Sequence, residues 1–291
     1  MVNLAVILAL AAAASWAIGM TTAKPGVRYM DPISYTWIRW AIVSGMALTY
    51  GLITGSLNVP QWEPLGFAIL AGVLDSTFGG LFYLLAMERT TAYQTTTLSS
   101  TAPLWGVLGA ILLLGEPLVW STFVAAALVI LGAFFLVERR VEGHKRSGWG
   151  ALFAILTGLF WGFAETVPAK LALQGGLTPV TLLLAFAVSG GVGMLILMPF
   201  LRRRIPRRIE RRGWRFVLLS SLGGAFLGWL LWLHALDLAP ASVISPVRGA
   251  TLLFALLYSI LFLRERPTRR AAVGMVCVIA GIALVTTLGP G

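Results

Sequence analysis

The sequence predicts an all-α integral membrane protein of ten transmembrane helices, built as two inverted five-helix repeats. Three observations carry that prediction. The 291 residues are 58% hydrophobic and only 11% charged, too apolar for the solvated surface of a soluble globule. Apolar stretches of about 18 to 25 residues, long enough to cross the hydrocarbon core as helices, recur from end to end. Residues 65–137 also align without a gap on residues 214–286, at a constant offset of 149. Because each half reads as five spans, an odd number, the second half must enter the membrane upside down relative to the first.

The spans run over 3–22, 33–54, 65–87, 93–114 and 118–137, then 149–172, 178–200, 214–236, 240–263 and 270–288. The first has a cleavage-like small-residue region, Ala11 to Ser15, but no Lys or Arg before it. Removing it would leave four spans facing five, so it is expected to remain. Links are short, and Gly115 to Pro117 leave room only for a tight turn. The halves divide at 1–141 and 142–291. Within the echo Leu81, Ala86, Ala92, Leu114, Glu116 and Gly132 return as Leu230, Ala235, Ala241, Leu263, Glu265 and Gly281. Apolar matches are cheap in such a chain, whereas a glutamate closing a long apolar run in both halves is not.

Charge sets the orientation. Links after odd-numbered spans hold 19 Lys and Arg residues, whereas those on the other side hold only Lys170. The positive-inside rule places the basic links in the cytoplasm and both termini outside, in a cell inner membrane. Trp62 and Trp120 at outer ends, with Trp149 and Trp214 at inner ends, suit interfacial belts. The net charge of +11 is therefore explained by lipid and topology, and no basic helix or aromatic reading platform points to nucleic acid.

The same composition excludes several chemistries. Cys277 is alone in an apolar run, so no disulfide framework or Cys/His metal site is expected. A glycine-rich phosphate loop, a nucleotide-hydrolysis motif and a protease-like pairing of histidines with acids are all missing, so neither an enzyme nor a cofactor is expected. His234, near an outer span end, is read as structural.

An ionisable residue within a span is a functional candidate by default, because a charge at the bilayer centre costs about 2.5–3.5 kcal/mol. Four qualify. Glu165 and Arg248 lie at similar depths, roughly 10 and 12 Å below the outer interface at 1.5 Å per residue. They are expected either to divide a zwitterionic solute, with Arg248 on its carboxylate and Glu165 on its ammonium, or to form a fixed ion pair. Asp75, mid-span and without an obvious partner at its depth, is either the candidate for reversible protonation in proton-coupled exchange or a carboxylate satisfied by neighbouring hydroxyls. Arg39 is expected to snorkel to the inner interface or bind lipid phosphate.

Uncharged candidates follow. Thr97 and Ser100 belong to a hydroxyl-rich stretch from Thr95 to Thr101, followed by Pro103; its counterpart holds Ser245, Pro246 and Arg248. Proline in both suggests opened backbone lining a solute path. Trp16 and Trp161 are equivalent in the first spans of the halves, as Tyr83 and Trp232 are in the third; their rings could stack on a solute or clasp an ammonium. Gly158 and Gly162, like Gly224 and Gly228, are spaced for close helix approach. Glu116 and Glu265 are read as caps of neighbouring helix starts or parts of gates.

Ser15-Trp16-Ala17, Phe160-Trp161-Gly162, Arg39, Gly115-Glu116-Pro117 and its echo Arg264-Glu265-Arg266-Pro267 together resemble an EamA-type member of the drug/metabolite transporter superfamily. The resemblance covers almost the whole chain. It implies a ten-helix bundle around a central cavity, moving small solutes by alternating access, commonly as an exporter of amino acids or other metabolites. It leaves the solute open, and Arg248 stands where an uncharged residue is commoner. The expected function is a secondary carrier for an amino acid or related zwitterionic or amphipathic solute. A multidrug-type efflux carrier, or a lipid scramblase or channel, are the alternatives. Its partners are the solute, membrane lipid and protons, as a monomer or weak homodimer.

Overall fold

A computed structural model describes residues 2–87, 89, 92–136, 148–202, 206–263 and 268–288. They form helices α1 (Val2–Gly26), α2 (Pro32–Thr54), α3 (Trp62–Met87), α4 (Ala92–Ser99), α5 (Ala102–Leu114) and α6 (Trp120–Leu136) in the first half. The second half has α7 (Gly148–Gln174), α8 (Pro179–Leu201), α9 (Gly213–Leu238), α10 (Ala241–Val247), α11 (Ala250–Leu263) and α12 (Arg269–Leu288). Eight spans are long and apolar enough to cross a membrane, with α4 and α5 counted as one and α10 and α11 as another. Helix α2, of 23 residues, and α6, of 17, are not among those eight.

The two spans in which opened backbone was expected are broken, and at corresponding places. The first breaks between Ser99 and Ala102 and the second between Val247 and Ala250. Pro103, just past the first break, cannot donate the bond that would tie it back to Ser99, whereas Pro246 lies inside α10, just before the second break. Two more spans carry a π-helical segment, Val73–Gly79 in α3 and Ser220–Phe226 in α9. Such segments often mark functional positions, because the wider turn leaves carbonyl groups free for outside donors. Periodicity alone could not predict them.

The packing repeats with the halves exchanged. Helix α1 lies against α9 and α11, whereas α7 lies against α3 and α5; α2 pairs with α8, and α6 with α12. Small residues form the inner faces. Ala5, Ala9 and Ala12 of α1, at helical spacing, are fully buried, while Ile53, Leu112, Ile196 and Leu261 point outward. This inside-out pattern suits a lipid solvent, where close backbone approach drives helix association. A Cβ on Gly158 would stand 2.6 Å from Thr101 Oγ1, so that glycine permits the α5–α7 approach. Trp62, Trp120, Trp149 and Trp214 are exposed, as belt residues should be.

Both ends of the α2–α8 pair are laced. At one end Asn58 receives a bond from the Thr178 amide (3.2 Å) and donates to the Gly176 carbonyl (2.7 Å), while Thr178 Oγ1 donates to Ser56 (2.7 Å). At the arginine-rich end Met30 bridges Ile209, and Asp31 collects the Ser34 and Arg208 amides, each at 2.9 Å, and the Arg202 guanidinium, also at 2.9 Å. Burial pushes the Asp31 carboxyl up, but those amides, the Ser34 hydroxyl and Arg202 outweigh it and hold it below its ordinary 3.8.

Candidate functional site

The broken helices meet at one crossing. Ser245 Oγ on α10 donates to the Pro103 carbonyl at 3.0 Å, and Arg248 follows Ser245 by three residues, in the break itself. A residue released from the helix here is free to aim its side chain across the bundle.

Arg248 reaches Glu165 of α7. Its Nε donates to Glu165 Oε2, and its terminal nitrogen donates to Oε1 at 2.8 Å. The pair is bidentate, the geometry in which guanidinium and carboxylate bind most strongly. Glu165 is only 3% exposed. Of the two expectations for these residues, mutual pairing is the arrangement present in this conformation.

An indole from each half flanks the pair. The guanidinium carbon lies 5.9 Å from the Trp16 ring centroid and 5.5 Å from that of Trp161. Both rings seat on glycine: a Cβ on Gly228 would stand 2.5 Å from Trp16, and one on Gly79 2.6 Å from Trp161. Those glycines are themselves 149 positions apart. Trp161 Nε1 donates to the Asp75 carbonyl at 3.2 Å, in the π-helical segment of α3. Trp16 Nε1 is buried without a partner among the described residues.

The other expected residues divide between scaffold and site. Trp232 is fully buried, donates to the Glu165 carbonyl at 3.0 Å and packs 5.2 Å from Trp16, so it orients the site from behind. Tyr83 packs against Trp161 with the rings tilted 32° and their centroids 5.4 Å apart, its hydroxyl bonded to Thr96. Ser100 is committed to its own helix, donating to the Thr96 carbonyl at 2.6 Å. Thr97, whose Oγ1 has no partner among the described residues, lines an open lateral groove between α4, α5 and α6 with Leu131 and Phe134.

Asp75 has more company than its sequence position suggested. Ser76 Oγ donates to its Oδ2 at 3.1 Å, and Glu165, Arg248 and Arg39 all lie within electrostatic reach. Arg39 is half-buried, with its guanidinium 5.3 Å from the Trp40 ring and its Nε buried.

Three outlying residues act structurally. Glu116 caps α10 across the halves, accepting the Ala241 amide at 2.7 Å and the Ser242 amide at 2.8 Å; its echo Glu265 lies outside the described residues. His234 Nδ1 pairs with the Leu230 carbonyl of its own helix at 2.7 Å. Lys170 donates to the Leu236 and Ala239 carbonyls at 2.5 and 3.0 Å, tying α7 to the end of α9. Sequence reasoning missed that tie, and it missed Trp229, whose ring packs 5.6 Å from Trp16. The spacing of Trp229 and Trp232, three apart on one helix face, was the available signal.

Apolar helices long enough to cross a membrane, with a matched ion pair flanked by two indoles between them, define a multi-pass membrane protein. The chain belongs to the EamA-like transporter family, whose pattern matches residues 3–138 and again 148–287. An uncharacterized transporter of Archaeoglobus fulgidus is 22% identical over 284 residues, covering 97% of this chain and 98% of its own. An uncharacterized transporter of Helicobacter pylori is 30% identical over 204 residues, 68% of this chain and 65% of its own. A protein of known crystal structure superposes with a TM-score of 0.83 at 17% identity, over 98% of this chain and 97% of its own. That likeness concerns the fold.

Proposed function

We propose that the protein is a secondary active carrier that moves a small zwitterionic metabolite, most simply an amino acid, across the cytoplasmic membrane by alternating access. The observation that carries this reading is the buried Glu165–Arg248 pair held between Trp16 and Trp161. A zwitterion can replace each partner with its own opposite charge, so the pair opens without leaving a charge unmatched in low dielectric. The indoles then supply faces for the ammonium and for the apolar part of the solute.

The ten helical spans are read as two inverted halves of five, 1–141 and 142–291, with both termini outside and the basic links in the cytoplasm. The exchanged packing of α1 and α7 supports the doubling. Export is favoured by the family. Asp75, facing Ser76, Glu165, Arg248 and Arg39, is the proposed proton-coupling carboxylate: it holds a proton or a solute ammonium, in alternation.

Purified protein in liposomes, offered a panel of labelled amino acids, tests the reading. Saturable flux with counterflow is expected, whereas lipid movement without solute flux would overturn it in favour of a scramblase. For coupling, Asp75→Asn should make flux indifferent to an imposed pH gradient. Unchanged dependence would remove Asp75 from that role.

A further inference from the structure

Two lateral grooves of similar size open on the flanks of the bundle, and charge tells them apart. One, of about 500 Å³, lies between α2 and the π-helical segment of α9, with Ile42, Gly45, Thr49 and Phe226 in its walls and no charged residue among those that line it. The other, of about 460 Å³, lies between α4, α5 and α6, with Thr97, Leu98, Leu104, Ala127, Leu131 and Phe134 in its walls. This second groove meets a cation. The half-buried Arg270 of α12 donates to the Phe134 carbonyl at 2.6 Å, and its guanidinium carbon lies 5.0 Å from the Phe134 ring centroid.

The second groove also has a direction. The tight turn at Gly115 to Pro117 sends α6 back antiparallel to α5, so Thr97 and Phe134 belong to one end of it and Leu104 and Ala127 to the other. Ser121 Oγ donates to the Leu288 carbonyl at 2.6 Å, which ties the start of α6 to the end of α12. Arg270, the second residue of α12, therefore stands at the opposite end, beside Phe134, two residues before the end of α6. Thr97 lies five residues into α4 from that same end, about 8 Å in at 1.5 Å per residue. From the membrane face inward the order is a cation, a hydroxyl-bearing wall and then an apolar wall. A phospholipid presents its phosphate, ester and acyl groups in that order.

We infer that this groove binds an anionic phospholipid, with its phosphate against Arg270, its ester region beside Thr97 and one acyl chain along Leu98, Leu104, Ala127 and Leu131. The guanidinium suits phosphate oxygens in charge and in planar geometry. A zwitterionic lipid adds a cation of its own to the same place, so net negative charge is favoured. Basic residues at span ends also face the leaflet in which anionic lipid is enriched. The acyl chain lies along both sides of the Ser99 to Ala102 break, and the site is independent of which solute the protein moves.

Native mass spectrometry of the full-length protein in detergent, offered equal phosphatidylglycerol and phosphatidylcholine with the same acyl chains, counts each bound lipid. The wild type should retain phosphatidylglycerol in preference. Arg270→Gln should cut that preference about fivefold, the worth of one basic residue at a membrane surface, and Arg270→Lys should keep most of it. Ala127→Trp fills the groove from an exposed position and should displace the retained lipid; it decides the matter if Arg270→Gln fails to fold. Gly45→Leu fills the uncharged groove, where a Cβ meets nothing within 4 Å, and should leave the preference intact. No preference in the wild type, an unaltered preference in Arg270→Gln, or phosphatidylglycerol retained in full by Ala127→Trp would each overturn the site. A dimer mass that Ala127→Trp abolishes would assign the groove to a second copy of the chain and overturn it too.

Discussion

Neutralising the Glu165–Arg248 pair one member at a time, and then both together, separates a solute contact from a structural tie. Either Glu165→Gln or Arg248→Gln strands the remaining charge in a site where Glu165 is 3% exposed. Stranding one partner of a buried pair costs about 3–5 kcal/mol, and at about 2–4 °C per kcal/mol for a chain of this size the melting temperature should fall by about 6–20 °C. The double variant strands nothing. Two amides of nearly the same shape can bond each other, so its melting temperature should return close to that of the wild type, a strongly non-additive cycle. Transport should behave otherwise. If the pair is what a zwitterion replaces, all three variants lose saturable amino-acid flux, including the double variant that folds well. Melting followed by tryptophan fluorescence, with counterflow on the same preparation, decides it. A double variant that is stable and transports normally would refute the substrate role and leave only the tie.

Three smaller perturbations probe the supports of the site. Glu116→Ala removes two carboxylate bonds from the start of α10, each about 1.5 kcal/mol for a charged acceptor, so melting should fall by several degrees; an unchanged melting temperature would deny it a capping role. Gly228→Ala forces Trp16 off its seat at 2.5 Å, at about 1–3 kcal/mol of overpacking, and should weaken solute affinity. Gly80→Ala, with nothing within 4 Å, should be neutral; equal effects from the two would count against a seating role for Gly228. Because the Asp31 carboxyl is held below its ordinary 3.8, its stabilisation is fully present above that pH and is lost as pH falls through the lowered value. Asp31→Asn should therefore melt earlier than the wild type at pH 7, with the gap closing as pH falls below 3.8; parallel curves over that range would exclude the carboxylate as their cause.

Much of the site was legible because charges inside apolar runs are rare enough to stand out. Glu165 and Arg248 were paired from depth alone, and the structure joins them. The breaks were legible too, since the corresponding helices of both halves each carry a proline, Pro103 and Pro246. What one-dimensional pattern could not carry was direction. Thr97 and Ser100 lie in the same polar stretch, yet Ser100 bonds back to Thr96 and Thr97 turns toward the α6 groove. The π-helical segments left no trace in hydropathy, because a one-residue insertion barely alters an all-apolar window.

The seating of the two indoles bears on how the chain must be made. Trp16, synthesised early, rests on Gly228, near the end of the chain, while Trp161 rests back on Gly79. Neither half thus contains the surface that its own first helix requires. An emerging first half must wait in the membrane with Trp16 unseated until α9 arrives, and the final docking joins two incomplete partners. For the same reason the halves, expressed as separate chains, should accumulate only when both are present: the fold behaves as an obligate heterodimer whose subunits share one peptide backbone.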